Sequence, residues 1–336
     1  MKLEVTNYKY MKATVIAPAN IAFIKYWGKA DSVLRLPLNS SLSMNLSNAY
    51  TTTTVEFSSV LKKDSVRLIG GMFFPDEINR IIVALDRIRS YSGIRLFARV
   101  VTKNSFPKGI GAAASASGFA ALTIAGFAAS GKKLTEKELT IFARMGSGSA
   151  CRSIPDGFVV WEKGNSSDTS YAYSLYSHTY WDLYDILVIV DTGMKKVSTS
   201  EGQKGVKTSP FWQERVQKIP DKIKKMKTAL REKNYPMLGA MIEDDCLSMH
   251  RVMQTQTPPI FYWNNATKKL MEMVRCWRNE GIPVYFTIDA GPNVHLICEK
   301  STVELLKKKL REIEEVKNII VNTSAPGAHL VDKHLF

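Results

Sequence analysis

The sequence predicts an α+β protein built as two lobes around a cleft. Three observations carry that reading. A chain of 336 residues amounts to about two domains at roughly 150 residues each. Strand and helix signals alternate along its whole length. The C-terminal half also holds two short apolar strands joined by a tight turn, an antiparallel hairpin foreign to a doubly wound parallel sheet. The lobes are expected at 1–183 and 184–336, packed as one body.

In the first lobe, KATVIAP (12–18), TTTTVEF (51–57) and IRLFARVV (94–101) read as strands. Residues 76–91 read as a helix, with Ile78, Ile81, Ile82, Leu85 and Ile88 on one face and Asp76 and Glu77 in its first turn after Pro75. From Gly109 to Gly131 no residue is charged. The run has the length of a membrane span, but it consists of Ala, Gly, Ser and Thr and opens on a glycine turn. A buried helix is the better expectation, and no membrane is expected as a partner. Thr135 and Glu138 form a capping-box pattern for a helix running to Met145.

The second lobe starts with the buried strand YDILVIVD (184–191). Helices follow at 209–233, 236–253 and 265–279. VYFTID (284–289) and VHLICE (294–299) form the hairpin around Ala290-Gly-Pro-Asn293. A helix at 302–317, with Val303, Leu306, Leu310 and Ile313 inward, precedes the strand NIIV (318–321), which is expected to close the chain.

Composition narrows the function classes. At 45% hydrophobic and 23% charged the chain is globular, not disordered. Its four cysteines form no C-x-x-C pair, so neither a disulfide framework nor a zinc module is expected; nor is any metal site. With no signal-type apolar block in MKLEVTNYKYMKATV, a reducing cytoplasm is the simplest setting. The formal net charge of +15 admits nucleic acid, an anionic surface or a small anionic substrate. A nucleic-acid binder would need a basic stripe with aromatic platforms or a reading motif, and none is apparent.

Four segments carry chemistry. The loop Phe106-PKGIGAAASAS-Gly118 follows a strand and enters a helix, where backbone N–H groups suit phosphate; Lys108, Gly109, Gly111, Ser115 and Ser117 are its candidates. It matches neither a Walker A loop nor a dinucleotide fingerprint. MGSGSACRS (145–153) offers hydroxyls beside Arg152, whose guanidinium can take a carboxylate or phosphate through two bonds. In NIAFIKYWGK (20–29), Lys25 and Lys29 are either snorkelling side chains or phosphate ligands. In TIDAGPN (287–293), Asp289 ends an apolar strand, where it is a turn former or a partly desolvated carboxylate.

Taken together and in this order, these segments resemble the diphosphomevalonate decarboxylase family, within the superfamily of galactokinase, homoserine kinase, mevalonate kinase and phosphomevalonate kinase. The resemblance spans about residues 12–325. It implies a two-lobed α+β fold with the active site between the lobes, and decarboxylation of a phosphorylated mevalonate for isoprenoid synthesis. By position it implies that Asp289 faces C3, that Arg152 holds the departing carboxylate and that Lys25 lies beside Asp289 and the 3-phosphate. Asn20, Tyr26, Lys29, Ser147 and Ser149 are implied in substrate binding, joined by Ser198 or Thr199. Family members are commonly dimers, so a homodimer is expected.

The family's phosphate loop runs Pro-x-x-x-Gly-Leu-x-Ser-Ser. Here the Leu position is Ala112 and the first Ser is Ala114. A single donor to transferred charge is worth roughly 3 kcal/mol in a dry site. The expectation is therefore a decarboxylase of the preformed 3,5-bisphosphate that yields isopentenyl phosphate without ATP or any other cofactor, as in an archaeal variant of the family. The alternative is the ordinary decarboxylase with ATP and Mg²⁺, acting on the 5-diphosphate or 5-monophosphate.

Overall fold

The computed structural model describes residues 12–106, 114–193 and 197–336. In the N-terminal lobe β1 (Lys12–Ile24) lies antiparallel to β4 (Ser41–Ser58) at the centre of a seven-stranded sheet. A small hairpin of β2 (Lys29–Asp31) and β3 (Leu36–Pro37) sits between them in sequence. The far half of β4 pairs with β6 (Phe97–Asn104), which pairs in parallel with β5 (Ser65–Ile69). Its near half pairs with β7 (Phe158–Trp161), next to β8 (Ala172–Tyr176).

Three helices cover this sheet: α1 (Pro75–Ser92), α2 (Ala114–Ala129) and α3 (Glu136–Gly146). The charge-free run is α2, and its small residues let it press flat on the sheet: Ala116, Ala120, Ala121 and Ala125 are fully buried. Among the described residues no helix is long and apolar enough to cross a membrane. The capping box that starts α3 is formed as expected, Thr135 Oγ1 accepting from the Glu138 N–H.

The C-terminal lobe is a four-stranded antiparallel sheet in the order β10 (Val284–Thr287), β11 (Val294–Glu299), β9 (Leu183–Ile189), β12 (Asn318–Thr323). One face carries α7 (Asn265–Asn279) and α8 (Val303–Arg311) over a core of Ile186, Val188, Phe286, Ile288, Val294 and Leu296. The other face meets α5 (Trp212–Arg231), α6 (Tyr235–Thr255) and the first sheet. There Ile21, Phe23, Leu42 and Met44 share one core with Leu187, Ile189, Ile223, Leu238, Ile242 and Ile297. The lobes are therefore joined by a continuous apolar core rather than by a hinge.

Two expectations are corrected. NIIV does not close the chain: after β12 the backbone returns to the first lobe, where β13 (His329–Val331) pairs with β1. The helix expected at 302–317 stops at Arg311, because the next backbone groups turn back on Lys309 and Leu310 in tighter bonds.

Candidate active site

The site is built where the end of β1 meets the β10–β11 turn. β1 changes register between Ala22 and Ile24, a bulge of the kind that re-aims the residues after it. The next residue, Lys25, is only 2% exposed. Its Nζ donates to Asp289 Oδ1 at 2.6 Å, and the Asp289 side chain remains 27% exposed toward the cleft. Lys25 is thus no snorkelling side chain but half of an ion pair. Burial pushes the Asp289 carboxyl up, but Lys25, followed by His295 and Arg152, holds it below the usual carboxylate range.

Lys25 is held from behind as well. Its backbone N–H donates to Asp245 Oδ2 at 2.7 Å, and its carbonyl accepts from Asn39 Nδ2 at 3.0 Å. Asp245, on α6, is fully buried and bonded to the Arg215 guanidinium of α5 at 2.9 and 3.0 Å. On the other side of Asp289, His250 lies 3.2 Å through Nε2 from the Ile288 carbonyl. Burial pushes the His250 pKa down to about 3, so a neutral ring fixes the strand end.

Arg152 comes from a 3₁₀ turn, Gly148–Ser153, that follows α3. It is 3% exposed. Its guanidinium donates to Ser41 Oγ at 2.7 Å and to Asn20 Oδ1 at 3.1 and 3.3 Å. All these acceptors are neutral, and among the described residues Arg152 has no ion-pair partner. Burial makes that charge costly and Asp289 offsets it only through space, so an anion entering the cleft would be favoured at Arg152. Asn20 is also tied to Ser153 and the Ser149 carbonyl, so it positions Arg152 rather than standing apart as a separate contact.

The phosphate side of the cleft begins at Tyr26. Its hydroxyl is buried and has no hydrogen-bond partner among the described residues, and a Cβ at Gly148 would stand 2.7–2.9 Å from its ring and hydroxyl. Glycine is thus required there by close approach. After Trp27 the chain turns through Gly28 at φ +96° and presents Lys29. Burial, with Arg35 and Arg80 nearby, lowers the Lys29 pKa to about 8. Beside it opens a cavity of about 410 Å³ whose walls include Arg35, Arg80, Arg87, Asp76, Met145 and Gly146. Arg35 Nε and Arg87 donate to the Met145 carbonyl, and Arg80 donates to Gly146, at the C-terminal end of α3. Burial and the crowding of like charge lower the pKa of Arg80 to about 10, and that of Arg35 also falls. No motif groups these arginines, since Arg35 lies in the β2–β3 hairpin and the others on α1.

Ser147 Oγ lies 3.3 Å from Ser115 Oγ at the start of α2, bringing the GSGS segment and the phosphate loop together. Ser117 is placed elsewhere: it is fully buried and its hydroxyl lies 2.7 Å from Thr51 Oγ1 on β4. Ser198 caps the short helix α4 (Thr199–Gly202), accepting from the Glu201 N–H at 3.2 Å, and Thr199 is exposed. Lys108, Gly109 and Gly111 fall outside the described residues. A narrow slot of about 90 Å³ opens beside Ser115, between the sheet and α1 and α2. Leu68, Phe73, Ile81 and Val100 are among its apolar walls, and Thr51, Thr53, Thr102, Asn104, Glu77 and Arg80 are its polar and charged groups besides Ser115. Apolar walls for a base, polar groups for a ribose and the N–H groups of a helix start for phosphate make a lining that fits a nucleotide.

Residues 17–172 match the model of the diphosphomevalonate decarboxylase-like N-terminal domain, and residues 186–330 that of the mevalonate 5-diphosphate decarboxylase C-terminal domain. A diphosphomevalonate decarboxylase of Candida albicans is 35% identical over 86% of this chain and 84% of its own length. One from Danio rerio is 34% identical over 83% and 74%. Among solved structures, mevalonate diphosphate decarboxylase from Staphylococcus aureus superposes with a TM-score of 0.91 at 37% identity, covering 96% of this chain and 98% of that one. A related enzyme in complex with MVAPP, AMPPCP and magnesium gives 0.90 at 37%, over 96% and 99%. These relatives lend no support to the expected nucleotide-independent variant or to isopentenyl phosphate as product, and they fit the alternative better. The chain belongs to the diphosphomevalonate decarboxylase family.

Proposed function

We propose that the chain is an ATP-dependent carboxy-lyase acting on mevalonate 5-diphosphate. The observation that carries this is the Lys25–Asp289 pair, 2.6 Å across, facing the same cleft as a buried Arg152 whose partners are all neutral. ATP with Mg²⁺, when bound, supplies the phosphoryl group that turns the 3-hydroxyl into a leaving group. Ser115, the start of α2 and the slot above it are the described residues that would hold the nucleotide.

The chain's own residues do the rest. Arg152 takes the substrate carboxylate and orients its C–C bond. As the C3–O bond breaks, positive charge grows at C3 and the fixed Asp289 carboxylate stabilises it. Lys25 meets the departing phosphate's charge. The C–C bonding pair becomes the alkene as CO₂ leaves. Lys29 and the Tyr26 hydroxyl bind the 5-phosphate end, and the cavity of Arg35, Arg80 and Arg87 suits a second phosphate beyond it. That favours a diphosphate over a monophosphate.

One observation favours a second reading. Ala114 removes a hydroxyl where the family's loop has one, consistent with a preformed 3,5-bisphosphate as substrate. CO₂ release separates the two. The leading reading requires release from mevalonate 5-diphosphate only with ATP and Mg²⁺. Release from the 3,5-bisphosphate without nucleotide, and none from the diphosphate with ATP, would replace it by the second.

A further inference from the structure

Asp289 stands outside the ladder of its own hairpin. β10 pairs with β11 only from Val284 to Thr287, so strand pairing holds neither Ile288 nor Asp289. β10 is also the edge strand of its sheet, and its outer backbone groups meet side chains of α6 and α7 in place of another strand. The Phe286 N–H donates to Glu243 Oε1 at 3.0 Å. Arg278 of α7 binds the Glu243 carboxylate at 2.8 and 3.0 Å and donates to the Val284 carbonyl at 2.8 Å. Ile288 is then held at both of its backbone groups. Its N–H donates to Cys246 Sγ at 3.2 Å. Its carbonyl accepts from the same thiol at 3.6 Å and lies 3.2 Å from His250 Nε2.

Glu243, Cys246 and His250 are spaced three and four residues apart, which places them along one face of α6. Cys246 is fully buried, and burial pushes its thiol up to about 11. The sulfur therefore keeps its proton and can accept from the N–H while its S–H faces the carbonyl. A carbonyl only accepts, so His250 Nε2 carries the ring hydrogen, and the ring is steadied by Trp263 at 4.5 Å between centroids. Asp245, the residue before Cys246, accepts the backbone N–H of Lys25 at 2.7 Å. Neighbouring residues of one helix thus reach opposite sides of the same ion pair: Asp245 the main chain of Lys25, and Cys246 the main chain that leads into Asp289.

We propose that Cys246 and His250 are positioning residues for Asp289, and that α6 is the single rigid element that sets how the Lys25–Asp289 pair faces the reacting carbon. Neither side chain touches substrate in this scheme. They act by fixing the Ile288 peptide groups, beyond which only the turn Asp289–Asn293 continues the chain to β11. A carboxylate that must stabilise charge at one carbon loses its effect when its backbone drifts by a fraction of an ångström. The inference rests on the decarboxylase reading for its kinetic test, whereas its amide-exchange test is independent of that reading.

The kinetic test compares Cys246→Ala and His250→Leu with the conservative changes Cys246→Ser and His250→Gln, using mevalonate 5-diphosphate, ATP and Mg²⁺. The first two remove the bonds to Ile288 and keep an apolar filling. They should lower kcat by roughly 10- to 100-fold with both KM values nearly unchanged, the signature of an interaction needed only in the transition state. Serine and glutamine, which still bond to the backbone, should recover most of that loss. A packing role alone would lower the melting temperature and leave kcat as it is. The second measurement is amide hydrogen exchange by NMR on the unmodified chain and on Cys246→Ala. The Ile288 amide should exchange at least tenfold faster in the variant, while the Phe286 amide, held by Glu243, keeps its protection. Folded variants with wild-type kcat would overturn the inference. So would conservative variants as slow as Cys246→Ala and His250→Leu, or an Ile288 amide whose exchange does not change. If the unmodified chain releases no CO₂ at all, the decarboxylase reading fails instead, and amide exchange alone decides whether α6 holds the Asp289 strand end.

Discussion

Asp245 accepts the backbone N–H of Lys25 at 2.7 Å from 220 positions away in the chain. The same carboxylate is bonded to Arg215, so one buried ion pair fixes the main chain of the lysine whose ammonium meets Asp289. Asp245→Asn would leave the Arg215 guanidinium buried without a charge partner. The expected cost is about 3–5 kcal/mol of stability, since removing one partner strands the other. Urea denaturation measures it, and a loss below 1 kcal/mol would show that the pair is not a buried anchor.

Arg152→Lys should fold and bind nucleotide normally but turn over roughly a hundredfold more slowly. An ammonium cannot hold Asn20, Ser41 and a substrate carboxylate together as the planar fork does. Steady-state kinetics with product analysis checks this. Unchanged kcat would mean that the carboxylate is held elsewhere.

Substrate affinity should depend on pH through Lys29. Its ammonium is destabilised by burial and by Arg35 and Arg80, to a pKa of about 8. In the free enzyme the side chain is therefore charged below pH 8 and loses its proton above it. kcat/KM for the 5-diphosphate should fall as pH rises through about 8, and the fall should vanish in Lys29→Arg, which stays charged. The pH profile of the two proteins is the measurement. A flat wild-type profile would remove Lys29 from the phosphate site.

Arg35→Gln and Arg87→Gln test the cavity next to it. Each removes one charged donor from a surface of crowded cations, worth roughly 10- to 100-fold in affinity for a second phosphate. The expected outcome is a raised KM for mevalonate 5-diphosphate and little change for the 5-monophosphate. Equal effects on both would assign these arginines to capping the carbonyls of α3 instead.

Much of this arrangement is legible before any coordinates are seen, and the reasons for the rest are physical. The helix at 265–279 appears with its expected limits, because Asn264 caps it and its apolar residues keep a helical period. The strand expected at 51–57 is the outer half of β4, which starts at Ser41. Its first half, SLSMNLSNAY, alternates Ser or Asn with Leu42, Met44 and Leu46, but Ser and Asn favour turns over strands and mask that period-2 signal. The strand expected at 94–101 lies at 97–104, a slip typical of boundaries set by pairing with β4 rather than by local sequence. Motif order points to Lys25, Arg152 and Asp289. Asp245 and Arg215 carry no motif, since each reaches the site through a partner that only tertiary packing supplies.

In the proposed reaction the Asp289 charge drives decarboxylation. The measurement closest to it is CO₂ release from carboxyl-labelled mevalonate 5-diphosphate, with ATP and Mg²⁺, by the wild type and Asp289→Asn. The amide keeps the shape and removes the charge. The expected loss is about 10²–10³-fold in kcat, with KM and folding nearly preserved. Release at the wild-type rate from the folded variant would contradict it.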